Sequence, residues 1–316
     1  MKEIKIEFET ITPIWTGDAW GENSELKATA IMGSLRFWFE VYCHFAGIEV
    51  KEKEELNYKE FIKKRREDLD KKDFEILDEM GITLSSQIFG CTGWKSRIEI
   101  REIYFKTEKV NKNDIDFTFL HENEENDTEW WCDTILFGKR KYINAIKNIK
   151  VTFIISKFYL KDFRKFLKFY QNRAILLGGK KAFGLGFVKL KSNQNLNNIK
   201  LNLDNNNYVI WDKIENVNNK NVLGYNIKHY LRRKEDKKFR AKNFGKMSQA
   251  SNYYFSSIVD NSCYIITFNN NDFILNKYKN WLSNNNNSPS EKAKKSSTQK
   301  NRKTTIDDLK NYLENR

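Results

Sequence analysis

Long apolar runs are missing from this 316-residue chain, and none approaches the roughly 18 residues that a membrane-crossing helix needs. Cysteine is scarce and unpaired. Cys43, Cys91, Cys132 and Cys263 lie far apart with no CxxC among them. No local pair can seed a closed zinc site, so reduced and mostly buried thiols are expected. Histidine is equally sparse, with His44, His121 and His229 scattered along the chain. Only His44 and His229 could act as general bases. His44 falls late in an apolar helix and reads as structural, and His229 has no partner residue nearby in sequence. The sequence has neither a GGDD-type metal pair nor an HD pair, which argues against polymerase-like and metal-phosphohydrolase chemistry. No metal or other cofactor is expected. The N-terminus, MKEIKIEFETIT, alternates charged and apolar residues. It therefore predicts a strand rather than a signal peptide, and a cytoplasmic protein.

What the chain has in excess is positive charge. The net charge is +14, with a pI near 9.3. Such a surface favours polyanions, nucleic acid ahead of an anionic membrane. The excess is concentrated. Residues 228–246 hold nine Lys/Arg against Glu235 and Asp236, half the chain's net charge. A charge run is usually a solvated face, but so large a share on one segment points to a polyanion site. If about six of these cations met phosphates, the logarithm of the binding constant would fall with a slope near −5 against log salt.

Hydrophobic periodicity predicts a strand at 2–12, ended by Pro13. A helix follows at 31–46, whose stripe is Ile31, Leu35, Trp38, Phe39, Tyr42 and Ala46. Residues 49–80 read as inserted helix. Strands are expected at 98–105, 116–120 and 151–158, with an acidic loop at 123–127 between the last two. A helix is expected at 160–177 and a strand at 186–191. This order is the βαββαβ plan of a ferredoxin-like or RRM-like domain. A second set follows: strand 208–211, helix 222–233, a basic loop, strand 264–268 and helix 272–282. The fold class is therefore α+β, with tandem ferredoxin-like modules, the second degenerate and the first carrying a helical insertion. The corresponding domains are 1–192 with the insertion at 48–90, a linker at 193–207, a second module at 208–282, and a flexible tail at 283–316 with a short helix opened by Thr305-x-x-Asp308.

Residues 178–187 read GGKKAFGLGF. In a dinucleotide site the order is strand, glycines, helix, so that phosphate meets the positive end of a helix. Here the predicted order is helix, glycines, strand. A Walker A loop fails as well, because Leu185 stands where lysine belongs. Two readings remain. Gly178 and Gly179 could cap the preceding helix, with later glycines easing the turn into a strand. Alternatively Gly178, Gly179, Gly184 and Gly186 could expose backbone amides to the sugar–phosphate chain of an RNA, with Lys180 and Lys181 adding charge.

Several motifs together resemble one family. A strand running into TPIWTGD (Thr12, Pro13, Ile14, Trp15, Gly17) precedes a helix containing IMGSLRFW (Ile31, Gly33, Leu35, Arg36, Phe37, Trp38). SQIFG (Ser86–Gly90) and the glycine-rich segment follow. These features resemble the RAMP superfamily of CRISPR proteins, and within it the family of the first subunit of the type III-B (Cmr) RNA-guided effector complex. SQIFG lacks that family's acidic residue, and Lys181 stands where arginine is commoner. The resemblance covers residues 1–190 and continues more faintly through LGYNIKHYLRR and FGKMSQASNYYFS. It implies two RRM-like modules, binding of crRNA near the 3′ end of the guide, target RNA as a further candidate ligand, and assembly with other Cmr or RAMP subunits. It also implies no catalysis by this subunit.

On these grounds the candidate RNA-binding residues are Trp15, Lys27, Arg36, the four glycines, Lys180, Lys181, Arg232, Arg233, Lys237, Lys238, Arg240, Lys242 and Lys246. Arg36 could form an i,i+4 ion pair with Glu40. The reading preferred here is a phosphate fork aimed into a cleft beside the glycines. Trp38 reads as core, whereas Trp15 and Trp20 could stack on bases. Tyr253, Tyr254 and Phe255 could stack too, with one or two facing the core if they form a strand. The competing function is a metal-independent endoribonuclease that processes CRISPR repeat RNA, and a third reading is a scaffold for any polyanion.

Overall fold

The computed structural model describes residues 1–16, 25–115, 130–204, 209–215, 223–233, 235–245 and 251–268. The expected strand at 116–120, the acidic loop, the helix at 272–282 and the tail lie outside the described residues. Strand β1, Lys2–Thr10, buries Ile4, Ile6 and Phe8 and turns Glu3, Lys5 and Glu7 outward. Helix α1, Ala28–Phe45, buries Ile31, Leu35, Trp38, Phe39 and Tyr42, the stripe set by 3.6-residue spacing. The insertion forms three helices, α2 (Tyr58–Glu67), α3 (Asp73–Glu79) and α4 (Leu84–Phe89). They enclose a small core of Leu56, Phe61, Ile76, Leu77, Ile82 and Trp94.

Next come β2 (Ile98–Asn111), α5 (Trp130–Phe137), β3 (Tyr142–Ile155), α6 (Leu160–Phe169), β4 (Ala174–Leu176) and β5 (Phe187–Ser192). The sheet order is β2-β3-β1-β5-β4, and β1 runs antiparallel to both β3 and β5. Without β4 this is the ferredoxin-like order, two interleaved βαβ units. The rings of α1 and α6 form the layer beneath the sheet. Their polar tips are satisfied: Trp38 Nε1 donates to the Leu176 carbonyl at 3.1 Å and Tyr170 Oη donates to the Trp38 carbonyl at 2.8 Å.

β4 corrects the expected helix at 160–177. The helix ends at Phe169, and Ala174, Ile175 and Leu176 pair with Lys189, Val188 and Phe187 of β5. A run of four apolar residues suits a buried strand as well as a helix face, and the sheet edge claims it. The glycine-rich segment therefore joins two strands, and Gly178 and Gly179 do not cap α6, whose C-cap is Tyr170.

The rest of the chain gives β6 (Ile210–Ile214), α7 (Gly224–Arg233), α8 (Lys237–Asn243), β7 (Tyr253–Phe255) and β8 (Cys263–Thr267), with sheet order β6-β8-β7. A third strand inserted beside the first is the opening βαββ of the same plan. α8 replaces the expected basic loop. Asp236 Oδ1 accepts the Phe239 amide at 2.9 Å, and the Lys, Arg and Ala that follow are good helix formers.

Two compact units result. One comprises Met1–Glu108, Asn144–Gly179 and Gly186–Tyr208, and the other Lys109–Ile143, Lys180–Leu185 and Val209–Arg316. This division differs from the expected first domain of 1–192, because Lys109–Ile143 and the tip of the glycine segment, Lys180–Leu185, belong with the second unit.

At Gly186, φ is +80°, and a Cβ would sit 2.1 Å from the Leu177 carbonyl oxygen. Gly186→Ala should therefore cost about 2 kcal/mol or more in urea unfolding. A glycine serving only an RNA-facing loop would leave the unfolding midpoint where it is.

Candidate nucleic-acid interface

The backbone amides of the glycine segment are largely spent inside the protein. The Gly179 amide donates to the Trp15 carbonyl at 2.6 Å, Gly186 to Pro13 at 2.9 Å, and Gly184 to Lys181 at 3.0 Å. An amide carries one proton to donate, so these three cannot also follow a ribonucleotide chain. That corrects the expectation for Gly179, Gly184 and Gly186. Close approach explains the glycines instead. A Cβ on Gly178 would meet the Trp15 carbonyl oxygen at 2.5 Å, and one on Gly184 the Ser257 amide nitrogen at 2.5 Å and that of Gly224 at 2.7 Å. What faces outward is the turn between them. Gly179 and Ala182 are exposed, and Lys180 and Lys181 are half-buried. Lys180 holds φ +53°, unusual for a residue with a side chain, and its Nζ lies 5.8 Å from the Phe183 ring centre.

Trp15 is buried, at 6 % exposure, so its ring offers no free face to a base. The reason is local. Ile14 pairs with Ile146 and Trp15 with Gly179, fixing the TPIW segment between neighbouring chains. Thr12, wholly buried, accepts the Phe187 amide on its hydroxyl at 3.0 Å. Trp20 lies outside the described residues. Arg36 is likewise committed inward. Its Nε donates to Glu40 Oε1 at 2.9 Å, and its terminal nitrogens donate to the Gly90 carbonyl at 2.7 Å and to Ser86 Oγ at 3.1 Å. The fork ties α1 to the SQIFG helix rather than pointing at phosphate. Lys27 is exposed at the start of α1, whose first turn has no acidic residue. The lysine adds to the positive end of the helix dipole instead of offsetting it.

The outer face of the first sheet is charge-balanced. Lys5 pairs with Glu3, Lys150 with Glu7 and Lys191 with Glu9, while Arg101 reaches Glu3 and Lys147 reaches Glu108. The second unit differs. Lys237, Lys238 and Lys242 are exposed on α8, and Arg240 is half-buried. Among the described residues, none of these four has an ion-pair partner. Lys246 and the Arg233 side chain lie outside the described residues. Tyr253 and Phe255 are buried, which leaves Tyr254 half-exposed, as strand alternation requires.

Sequence reasoning missed an ordered group on α7. Phe183, Tyr225 and His229 stack in a column, with ring centres 5.4 and 5.3 Å apart and planes within 29° of parallel. Lys228 Nζ lies 6.0 Å from the Tyr254 ring centre. The signal was present as the i, i+4 spacing of Lys228 and Arg232 and of Tyr225 and His229. His44, in the last turn of α1, is exposed. Burial pushes the Cys43 thiol up to about 12, in keeping with an inert core residue. Among the described residues, no cluster of three or more His, Cys, Asp or Glu could hold a metal, and no helix is long and apolar enough to cross a membrane.

Comparison with known proteins adds one firm match. The model of the RAMP superfamily matches residues 7–189. Similar solved structures include apo Cmr1 from Pyrococcus furiosus, with 17% identity and a TM-score of 0.46 over 85% of this chain and 88% of that one. A chain of a type III-B Cmr-beta complex bound to cognate target RNA and AMPPnP has 12% identity and a TM-score of 0.42, covering 89% and 98%. Oligomeric Cmr4 from Pyrococcus furiosus has 13% identity and a TM-score of 0.33, covering 62% and 100%. None of the curated proteins matches.

Removing the Arg36 fork should be felt first as lost stability. Arg36→Ala is expected to cost about 2 kcal/mol in urea unfolding, because it leaves the Gly90 carbonyl without its donor and Glu40 with the Ser85 hydroxyl in place of a cation. Arg36→Lys should recover only part, since an ammonium cannot point at three acceptors in a plane. An Arg36→Ala protein as stable as the parent but weaker on RNA would restore the phosphate-fork reading.

Proposed function

Because the chain belongs to the RAMP superfamily, we propose that it is a non-catalytic, RNA-binding subunit of a type III-B (Cmr) CRISPR effector complex acting in antiviral defence. In this reading it works in the cytoplasm beside other Cmr subunits and holds crRNA near its 3′ end, with target RNA as a second ligand. One observation carries the RNA-binding part: among the described residues the cations of α8 stand without counter-ions, whereas Lys5, Arg101, Lys147, Lys150 and Lys191 on the first sheet are paired. A paired lysine cancels its own field. An unpaired one contributes to a potential that attracts a polyanion and releases that polyanion's condensed counter-ions. The sequence motifs TPIWTG and IMGSLRFW support the narrower assignment to the first-subunit family.

The endoribonuclease alternative would need a general base with an oriented partner. The half-buried His229 is stacked on Tyr225, an arrangement that suits binding at least as well as proton transfer.

Single-stranded RNA binding, followed against salt, tests the proposal. Replacing Lys237, Lys238 and Lys242 together with Gln should weaken binding and flatten the log–log salt slope by about 2, three single-strand phosphate contacts at about 0.7 each. An unchanged slope would clear α8 of the role. Equal affinity for duplex DNA would favour a general polyanion scaffold. Cleavage of repeat RNA in EDTA, abolished by His229→Ala, would establish the enzyme instead.

A further inference from the structure

α7 carries two cations one turn apart, Lys228 and Arg232, and packs against β7 and the short turn Lys181–Phe183. Like charges at this spacing repel. Water does little to relieve them. Lys228 and Arg232 are half-buried, and Arg232 Nε is buried with no hydrogen-bond partner. Lys181, on the turn packed against the same helix, is also partly withdrawn from solvent. Among the described residues, no carboxylate pairs with any of the three. The nearby Asp236 accepts the Phe239 amide as the cap of α8. Partly desolvated cations without a counter-ion are costly unless an anion arrives.

We propose that Lys228 and Arg232, floored by Tyr254, form a seat for one phosphate group. A guanidinium fork beside an ammonium point charge matches the oxygens of a phosphate, whether it belongs to an RNA linkage or to a small phosphate. The inference deepens the RNA-binding reading and, for the RNA source, rests on it.

The seat couples binding to a proton. Burial first, and then the charge of Arg232, pushes the Lys228 ammonium down to about 8. Its charged and titratable neighbours are Arg232 on its own helix and Tyr254 on β7; His229 follows it on α7, and Lys180 and Lys181 belong to the turn against which α7 packs. A seated phosphate stabilises the charged amine and raises its pKa again. Above about pH 8 the free amine is neutral and must take up a proton to bind. Affinity is therefore flat below that pH and falls as pH rises, by at most tenfold per unit.

The test uses a short single-stranded RNA with hydroxyls at both ends, its affinity followed from about pH 7 to about pH 9.5 on the full chain, a range that brackets the Lys228 midpoint. The parent should show the fall above pH 8. Lys228→Met should lose affinity at neutral pH together with the slope, and Lys228→Arg, always charged, should lose the slope. A flat parent profile, or a slope that survives in Lys228→Arg, would overturn the seat while leaving RNA binding through α8 in place. Inorganic phosphate, followed by NMR of the labelled lysine amines, gives the second arm. A rise in the Lys228 midpoint with phosphate but no affinity for RNA would keep the seat and sink the RNA reading. No rise and no RNA binding would sink both.

Discussion

Between Gly184 and Gly224 the main chain meets the main chain with no side chain intervening. A Cβ on Gly224 would lie 2.0 Å from the Phe255 carbonyl oxygen and 2.8 Å from the Gly184 Cα. The Ser257 amide, donating to the Gly184 carbonyl at 3.0 Å, closes the contact. This approach holds the turn Lys181–Phe183 against α7 and β7, and with it Lys180 and Lys181. Phe183 can stack on Tyr225 only because the backbones come this near. Lys181 loses part of its water for the same reason. The glycines thus act through what they permit others to do.

The same economy of donors governs the first unit. Arg36, Thr12 and Trp15 stand in the motifs that resemble the RAMP family, and each is engaged with another part of the fold. Arg36 fastens the insertion to α1, and Thr12 and Trp15 fix the chain leaving β1 to β5 and to the glycine segment. A motif residue can thus recur because the fold requires it, and its residue type alone does not make it a ligand contact. The charges sort in a complementary way. Carboxylates opposite lysines across the strands of the first sheet make a solvated, balanced face, worth little to stability. Among the described residues no carboxylate pairs with Lys228 and Arg232 of α7 or with the cations of α8.

The sequence by itself determined the elements that depend on near neighbours. Period-two alternation placed β1, and the 3.6-residue stripe placed α1 and its buried face. The order of elements led to the ferredoxin-like plan, and charge counting found the segment that carries half of the excess. Tertiary structure decided the rest, because those outcomes depend on partners distant along the chain. Ala174–Leu176 became a strand because β5 had an open edge to fill. The Arg36 guanidinium finds its acceptor 54 residues away at Gly90, and the Trp38 indole finds its own 138 residues away at Leu176. Local pattern records what a residue can do, and only the assembled fold records which of its hydrogen bonds and charges have already been used.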